Sequence, residues 1–248
     1  VGVYALIRMF TLVFTFSTGV THAILLVVAA LTMLFGVVGA ASQMEVRRIL
    51  SFHIISQVGY MVLGLALFTP LALAGAIVYL VHHIIVKANL FLVSGLVRHT
   101  GGSFNLKTIG GLYKTNGLVA VGFIIPAFAL AGFPPLSGFW AKLLIIKACL
   151  ESQQYTLALL SAAVGLLTVF SMIKIWTEAF WKPAPAELNS SPIKRPLSPW
   201  MLVPVLSLSL VTVLLGLCME PVIQFSMAAA GQLMDPQVYI NAVLGGHP

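Results

Sequence analysis

The chain has 248 residues, of which 60% are hydrophobic and only 8% are charged, and its mean hydropathy is +1.05. These values exclude a soluble globular domain and predict an all-α integral membrane protein, a polytopic helical bundle. The net charge of +7 does not indicate nucleic-acid binding, because the basic residues lie in short segments between apolar runs.

The first residue is Val1, and no charged segment followed by a short apolar run and a cleavage site is recognisable after it. We therefore expect no signal peptide and expect a fragment that begins inside a helix. The two cysteines, Cys149 and Cys218, have no metal-ligand spacing and form no disulfide framework. No metal site and no cofactor are predicted.

The first apolar segments predict membrane spans. Residues 1–18 are predicted to be the end of one span, and the uncharged run 23–44 a complete one, since about 20 apolar residues cross the hydrocarbon. Arg8 is either buried against polar partners or close to a membrane boundary, and both alternatives stay open. His22, at the mouth of the second run, is expected to be interfacial rather than part of a relay.

The next apolar run, residues 49–86, contains no Lys, Arg, Asp or Glu. The Thr69-Pro70 pair divides it into two predicted spans, because proline disfavours helix at the residue before it. In the first of these spans His53 and Gln57 lie near one helical face with other polar residues. Such a stripe predicts either interhelical hydrogen bonds or a hydration path, and we treat both residues as accessory site candidates.

The predicted span 72–97 contains Tyr79, His83 and Lys87 at positions i, i+4 and i+8, so these side chains are stacked along one side of the helix. A lone histidine in a helix is usually a core residue. Tyrosine, histidine and lysine aligned in an apolar segment instead favour a proton or ion path. His82 lies about 100° around the helix and is expected to be outside this path.

Residues 118–147 are predicted to form a discontinuous helix. Residues 118–141 carry no charge, yet Pro134 and Pro135 remove backbone donors and Gly138 relaxes the chain. Irregular backbone at membrane depth is tolerated only where protein or water satisfies the freed groups. Lys142 follows the break, and its default interpretation is a functional group that faces a polar path. A lysine that snorkels from a helix end to the headgroups is the alternative.

The remaining chain contains two more predicted spans. In the first, residues 155–181, Lys174 and Glu178 are at i and i+4 and are expected to form a structural pair near the interface, and both are accessory site candidates. Residues 182–198 are predicted to be a polar loop. A last span over residues 199–219 is followed by a tail without Lys or Arg.

Charge predicts the orientation of these spans. The loops 42–48, 98–117 and 182–198 fall on one side of the membrane and hold most of the basic residues. The positive-inside rule places these loops in the cytoplasm and the C-terminal tail outside. The basic residues concerned are Arg47, Arg48, Arg98, Lys107, Lys114, Lys182, Lys194 and Arg195.

Three stretches together resemble a known family: EVRRILSFHIISQVGYMVLGLAL, AGAIVYLVHHIIVKANLFLVSG and FALAGFPPLSGFWAK. They resemble the antiporter-like family shared by respiratory complex I, membrane-bound hydrogenases and Mrp-type multisubunit Na+/H+ antiporters. The opening VGVYALIRMFTLVF is most similar to the Mrp-type branch. The resemblance implies that residues 1–181 are helices eight to thirteen of a 14-helix antiporter-like fold. Residues 182–248 would form the cytoplasmic loop, the last transmembrane helix and the C-terminal tail.

The resemblance also implies two inverted repeats of five helices, each with one broken helix, of which this chain would supply the second. Lys142 matches the lysine of the second broken helix in the family. His83 and Lys87 match a histidine and a lysine of the preceding helix, while Tyr79 stands where some relatives have another histidine.

We therefore predict an ion-translocating subunit of a multisubunit cation/proton antiporter in the inner (plasma) membrane. Its expected partners are other membrane subunits, H+ and Na+ or K+, and the lipid bilayer. The alternative is a proton-pumping membrane subunit of an NADH:quinone oxidoreductase or of a membrane-bound hydrogenase complex. An enzyme is disfavoured because no nucleophile with a base, metal spacing or phosphate loop is present, and the buried cations disfavour a purely structural subunit.

Overall fold

The computed structural model describes residues 1–14, 19–184 and 197–245, and most of these are helical. Lys194 and Arg195, part of the predicted polar loop, lie outside the described residues. The helices are α1 (Gly2–Leu12), α2 (Gly19–Ser42), α3 (Val46–Leu67), α4 (Pro70–Gly101), α5 (Leu112–Thr115), α6 (Gly117–Ala131), α7 (Ser137–Glu151), α8 (Tyr155–Ile175), α9 (Pro199–Leu217), α10 (Met219–Met234) and α11 (Pro236–Leu244). A π-helical turn, Trp176–Trp181, continues α8.

Within the described ranges, five helices are long and apolar enough to cross a membrane. They are α2, α3, α4, α8 with its π-helical turn, and α9. Helices α1 and α6 are also apolar but shorter. The predicted polytopic all-α membrane fold is therefore confirmed.

The boundary between α3 and α4 lies where the sequence predicts it. The Thr69 hydroxyl accepts a hydrogen bond from the Ala72 backbone N–H at 3.2 Å, and Pro70 is the first residue of α4. Proline suits this position, because the first helical N–H has no intrahelical acceptor in any case. Phe68 follows the last residue of α3, and its φ of 47° reverses the chain.

Two helices occupy the segment predicted to be discontinuous. α6 ends at Ala131 and α7 begins at Ser137, so residues 132–136 separate them. Gly132 has a φ of 92°, a left-handed conformation that favours glycine, and its N–H donates to the last turn of α6. That α6 and α7 are halves of one discontinuous span stays a prediction.

Gly138 lets the first turn of α7 approach α6 and α4 closely. A Cβ atom at this position would overlap the Ala129 carbonyl oxygen of α6 and would lie 2.8 Å from the His82 ring of α4. Gly216 of α9 allows a similar approach, since a Cβ atom there would lie 2.8 Å from the Ser137 backbone nitrogen. The start of α7 is thus enclosed by three other helices.

The described parts of the three basic loops lie together at one end of the bundle. The Leu106 N–H donates to the Met44 carbonyl at 2.9 Å, and the Gly111 N–H donates to the Lys182 carbonyl at 2.6 Å. We call this end of the bundle the basic end. The prediction that these loops share one side is consistent with these contacts, while the side of the membrane stays a prediction.

The tail forms two further helices that the sequence analysis did not predict. α10 packs along α4, and α11 follows it. The Arg8 guanidinium of α1 lies 4.5 Å from the centre of the Tyr239 ring of α11. Arg8 is thus covered by an aromatic partner that is distant in sequence.

Candidate functional site

Buried polar side chains converge where α3, α4, α7 and α8 meet. An isolated polar group is costly in such an interior unless another group compensates it. We call this group the polar cluster, and its members are His53, Gln57, Tyr60, Tyr79, His82, Lys87, Ser137, Lys142 and Ser161, each 7% exposed or less.

Lys142 lies inside the protein and reaches back across the interval between α6 and α7. Its Nζ donates to the Ala131 carbonyl at 2.9 Å, and it lies 5.6 Å from the centre of the Tyr60 ring. Ala131 belongs to the last turn of α6, where carbonyls lack intrahelical donors. Lys142 is therefore buried and does not extend to the headgroups, while its functional role stays a prediction.

Two tyrosines form the centre of the polar cluster. The rings of Tyr60 on α3 and Tyr79 on α4 stack with centroids 5.2 Å apart. The Tyr60 hydroxyl donates to the Ser161 carbonyl of α8 at 2.5 Å, and the Tyr79 hydroxyl donates to Gln57 Oε1. Gln57, predicted as an accessory residue, therefore holds α3 and α4 together.

His82 belongs to the polar cluster. Its Nδ1 lies 2.8 Å from the Ser137 hydroxyl, and its ring meets the Tyr79 ring edge-on at 5.9 Å. It is also within electrostatic range of Lys142 and Lys87. Helical spacing did not predict this position for His82, which follows because α7 packs against the side of α4 that carries it. Whether His82 belongs to a proton path stays a prediction.

His83 is only half-buried, and its Nε2 has no hydrogen-bond partner among the described residues. It lies within electrostatic range of Lys87. The helical period places His83 between Tyr79 and Lys87, but the neighbouring helices enclose it less completely than its neighbour His82. Its predicted role stays a prediction.

Lys87 is buried at the other end of the polar cluster. Its Nζ donates to the Leu50 carbonyl of α3 at 3.0 Å. Across the described ranges, the ion pairs are Arg48 with Glu45, Lys147 with Glu151 and Lys182 with Glu178. Neither Lys87 nor Lys142 has an acidic partner there.

His53 has an unusual environment. It is fully buried on α3, one turn after Leu50, and neither ring nitrogen has a hydrogen-bond partner in the part of the chain that the structure describes. Three lysines are within electrostatic range of it: Lys87, Lys142 and Lys174.

The predicted pair between Lys174 and Glu178 is not formed. Lys174 Nζ donates to the Ala41 and Gln43 carbonyls at 2.7 and 2.6 Å, and Glu178 pairs with Lys182 at 3.1 Å. The end of α2 leaves carbonyls without intrahelical donors, which a nearby ammonium satisfies. The π-helical turn after Ile175 also changes the helical period on which the prediction relied.

Comparison with known proteins gives a consistent result. Residues 1–168 match the family described as NADH:quinone oxidoreductase/Mrp antiporter, TM. The chain is 49% identical over 247 residues to a Na(+)/H(+) antiporter subunit from Alkalihalophilus pseudofirmus, a match that covers 98% of this chain and 49% of that protein. It is 36% identical over 244 residues to the Bacillus subtilis protein of the same name, with the same coverage of 98% and 49%.

Solved structures agree with this match. A chain in the structure of the Mrp complex from Dietzia sp. DQ12-45-1b superposes with a TM-score of 0.88 at 36% identity, covering 98% of this chain and 52% of that one. The chain thus spans about half the length of the relatives that it matches. The resemblance to the Mrp-type branch is confirmed.

Proposed function

The chain belongs to the NADH:quinone oxidoreductase/Mrp antiporter family, and we propose that it forms half of an ion-translocating subunit of a multisubunit cation/proton antiporter. In this proposal the subunit works together with other membrane subunits and exchanges Na+ or K+ for H+. Support comes from two relatives, 49% and 36% identical, that are named as Na(+)/H(+) antiporter subunits.

The main structural support for this proposal is the burial of two lysines without acidic partners in the described part of the chain. Lys142 and Lys87 are both buried, and each donates to a backbone carbonyl, with no acidic partner among the described residues. A carboxylate partner would stabilise the ammonium form strongly, whereas one carbonyl acceptor leaves the amine free to release its proton. Two such groups separated by histidine and tyrosine side chains are suited to passing protons.

The predicted translocation and helix-break residues each have a role in this proposal. Lys142 and Lys87 take up and release protons, His83 or His82 relays between them, and Tyr79 supplies a hydrogen-bond bridge. α6 and α7 are the two halves of one discontinuous span, with Pro134, Pro135 and Gly138 at the break. Water can enter such a break and reach Lys142 there, as it does in transporters with discontinuous helices.

We further propose an orientation and a division of the chain. The basic end faces the cytoplasm, and the C-terminal tail lies on the other side of the inner (plasma) membrane, because the described loop residues at the basic end include five exposed or half-exposed Lys and Arg. These are Arg47, Arg48, Lys107, Lys114 and Lys182. Residues 1–181 form the antiporter-like transmembrane domain, and residues 182–248 form the loop, the last span and the tail.

An exchange assay distinguishes this function from a redox-driven pump. The full-length chain is produced with its partner subunits in inverted membrane vesicles that carry a pH gradient. We expect addition of Na+ or K+ to dissipate the gradient, as monitored by a pH-sensitive dye. If neither cation has an effect, and the subunit copurifies with iron–sulfur subunits and pumps only with an oxidisable substrate, the redox alternative is correct.

A further inference from the structure

His53 differs from its polar neighbours on α3 because its ring makes no hydrogen bond within the described residues. On α3, four consecutive contact positions lie on one face: the Leu50 carbonyl, His53, Gln57 and Tyr60. They extend over about 15 Å of helix at 1.5 Å per residue. Three of the four contact a neighbouring helix through a hydrogen bond: Leu50 to Lys87, Gln57 to Tyr79 and Tyr60 to Ser161. His53 is the exception within the described residues.

An imidazole that is fully buried and makes no hydrogen bond costs free energy, because burial removes water from its donor and its acceptor. Interhelical hydrogen bonding, one of the two alternatives for this stripe, therefore does not explain His53. Along α3, His53 lies between Leu50, whose carbonyl accepts from Lys87, and Tyr60, whose ring lies next to Lys142.

His53 lies near the end of α3 that belongs to the basic end of the bundle. His53 lies seven residues after the start of α3 at the basic end, a distance of about 10 Å. Lys174 of α8 lies at the same end and donates to the Ala41 and Gln43 carbonyls. His53 is within electrostatic range of Lys174 as well as of Lys87 and Lys142.

We propose that His53 is an additional proton-relay residue, which lies between Lys142 and Lys87 along α3 and passes protons from the polar cluster toward Lys174 at the basic end of the bundle. This proposal rests on the antiport function proposed above. A proton released by Lys142 or Lys87 binds the unprotonated ring nitrogen of His53 while the other nitrogen releases its proton to water, so that the ring ends neutral. That water passes the proton to Lys174 once this amine has released its own proton at the basic end. Water supplies the hydrogen bonds that the protein does not.

The test uses the full-length chain with its partner subunits in inverted vesicles. His53→Gln keeps a planar hydrogen-bonding group but cannot relay protons, and we expect exchange to fall by about 100-fold, the range for a lost proton-transfer group. His53→Glu restores a titratable group facing the three lysines and should recover part of that loss. Ser56→Ala is the matched control, because Ser56 is also buried on α3 but donates to Met33 of α2.

Lys174→Gln provides a second measurement of the same route. Its amide can still donate to the carbonyls at the end of α2, so the structural contact is retained while the proton carrier is lost. We expect Lys174→Gln to lower the exchange rate and to shift its pH dependence in the same direction as His53→Gln does. The partner subunits should copurify normally.

Each outcome decides the proposal. Exchange that matches the parent in His53→Gln, or equal losses in His53→Gln and His53→Glu, would show that His53 is not a relay. If His53→Glu fails to assemble, the pH profile of His53→Gln decides alone, and an unchanged profile overturns the proposal. Absence of exchange in the parent vesicles would instead refute the antiport function itself, so the two failures are distinguishable.

Discussion

Lys142 of α7 donates a hydrogen bond to the carbonyl of Ala131, the last residue of α6, at 2.9 Å. The C-terminal end of a helix carries a partial negative charge of about half an elementary charge, which stabilises a nearby ammonium group. The protonated amine is thus held at the interval between the two helices, and a neutral amine interacts with that end less strongly. In the proposed function, proton release by Lys142 would therefore weaken a contact that joins α7 to the end of α6.

This contact predicts the outcome of substituting Lys142. Lys142→Ala in the full-length subunit should abolish coupled exchange in vesicles while the complex still assembles, because no ion pair in the described residues depends on it. Lys142→Arg should also fail largely, since the guanidinium does not release its proton. Lys147→Ala is the control on the same helix, because Lys147 is exposed and only pairs with Glu151. Normal exchange in Lys142→Ala would remove Lys142 from the path.

Gly138 predicts a stability effect that is independent of transport. Gly138→Ala would force a methyl group against the Ala129 carbonyl and the His82 ring, and we expect a loss of about 1–3 kcal/mol, typical of overpacking. Gly95→Ala on α4 is the matched control, because a Cβ atom there meets nothing within 4 Å. It should stabilise by about 0.5–1 kcal/mol, as Ala does over Gly in a helix. Thermal unfolding of the purified complexes measures both, and equal midpoints would contradict the predicted close contact.

The orientation is testable at two exposed positions. α8 with its π-helical turn has 27 residues, so its two ends are about 40 Å apart. Gln153 lies just before its start, and Thr108 lies in a loop at the basic end. In a variant without Cys149 and Cys218, a cysteine at position 108 should be shielded in intact cells from impermeant thiol reagents. A cysteine at position 153 should react, and the reverse pattern would invert the topology.

The sequence predicts much of this fold because membrane spans depend mainly on local hydrophobicity. The α3–α4 boundary was predicted from proline chemistry, and the interval after α6 falls within the segment predicted from Pro134, Pro135 and Gly138. These signals are local, since they depend on which backbone groups proline and glycine can satisfy. The helices α10 and α11 were not predicted, because their short apolar segments carry no such signal.

The site was harder to predict because it depends on which helices pack together. Helical spacing places Tyr79, His83 and Lys87 along one side of α4 but does not show that α7 covers the His82 side. In the same way, Lys174 and Glu178 have ideal spacing for a pair, yet the carbonyls at the end of α2 offer Lys174 a better partner. Ser137 lies two residues after the double proline, at the start of α7, and this position is the sequence signal that could have pointed to it.

Tyr79 should contribute to stability more than to transport. Tyr79→Phe removes the hydroxyl that donates to Gln57, and leaves a buried amide oxygen without that donor. We expect a loss of about 1–3 kcal/mol in the free energy of unfolding, the cost of an unsatisfied buried group. Exchange should fall only modestly, since water can replace a hydrogen-bond bridge. A larger effect on exchange than that of His83→Ala would show that Tyr79 itself carries protons.

The neighbouring histidines of α4 give the sharpest test of the site. Helical spacing predicts that His83→Ala damages exchange severely and that His82→Ala is tolerated. The structure favours the opposite order, because His82 is buried against Ser137 and Tyr79 whereas His83 is half-buried. We therefore expect His82→Ala to reduce exchange more than His83→Ala, and Lys87→Ala to be as damaging as His82→Ala.

Ser137→Ala separates the chemistry of His82 from its packing. The serine hydroxyl lies 2.8 Å from Nδ1 of His82, and this contact selects the tautomer and the orientation of the ring. Its removal should lower exchange and alter its pH profile without affecting assembly, because only one oxygen atom is lost from the interface between α4 and α7. Exchange in vesicles, with subunit copurification as the assembly control, measures all four variants. If His83→Ala causes a severe loss of exchange while His82→Ala and Ser137→Ala exchange normally, the path runs along Tyr79, His83 and Lys87, as helical spacing predicts. In that case His82 has only a packing role.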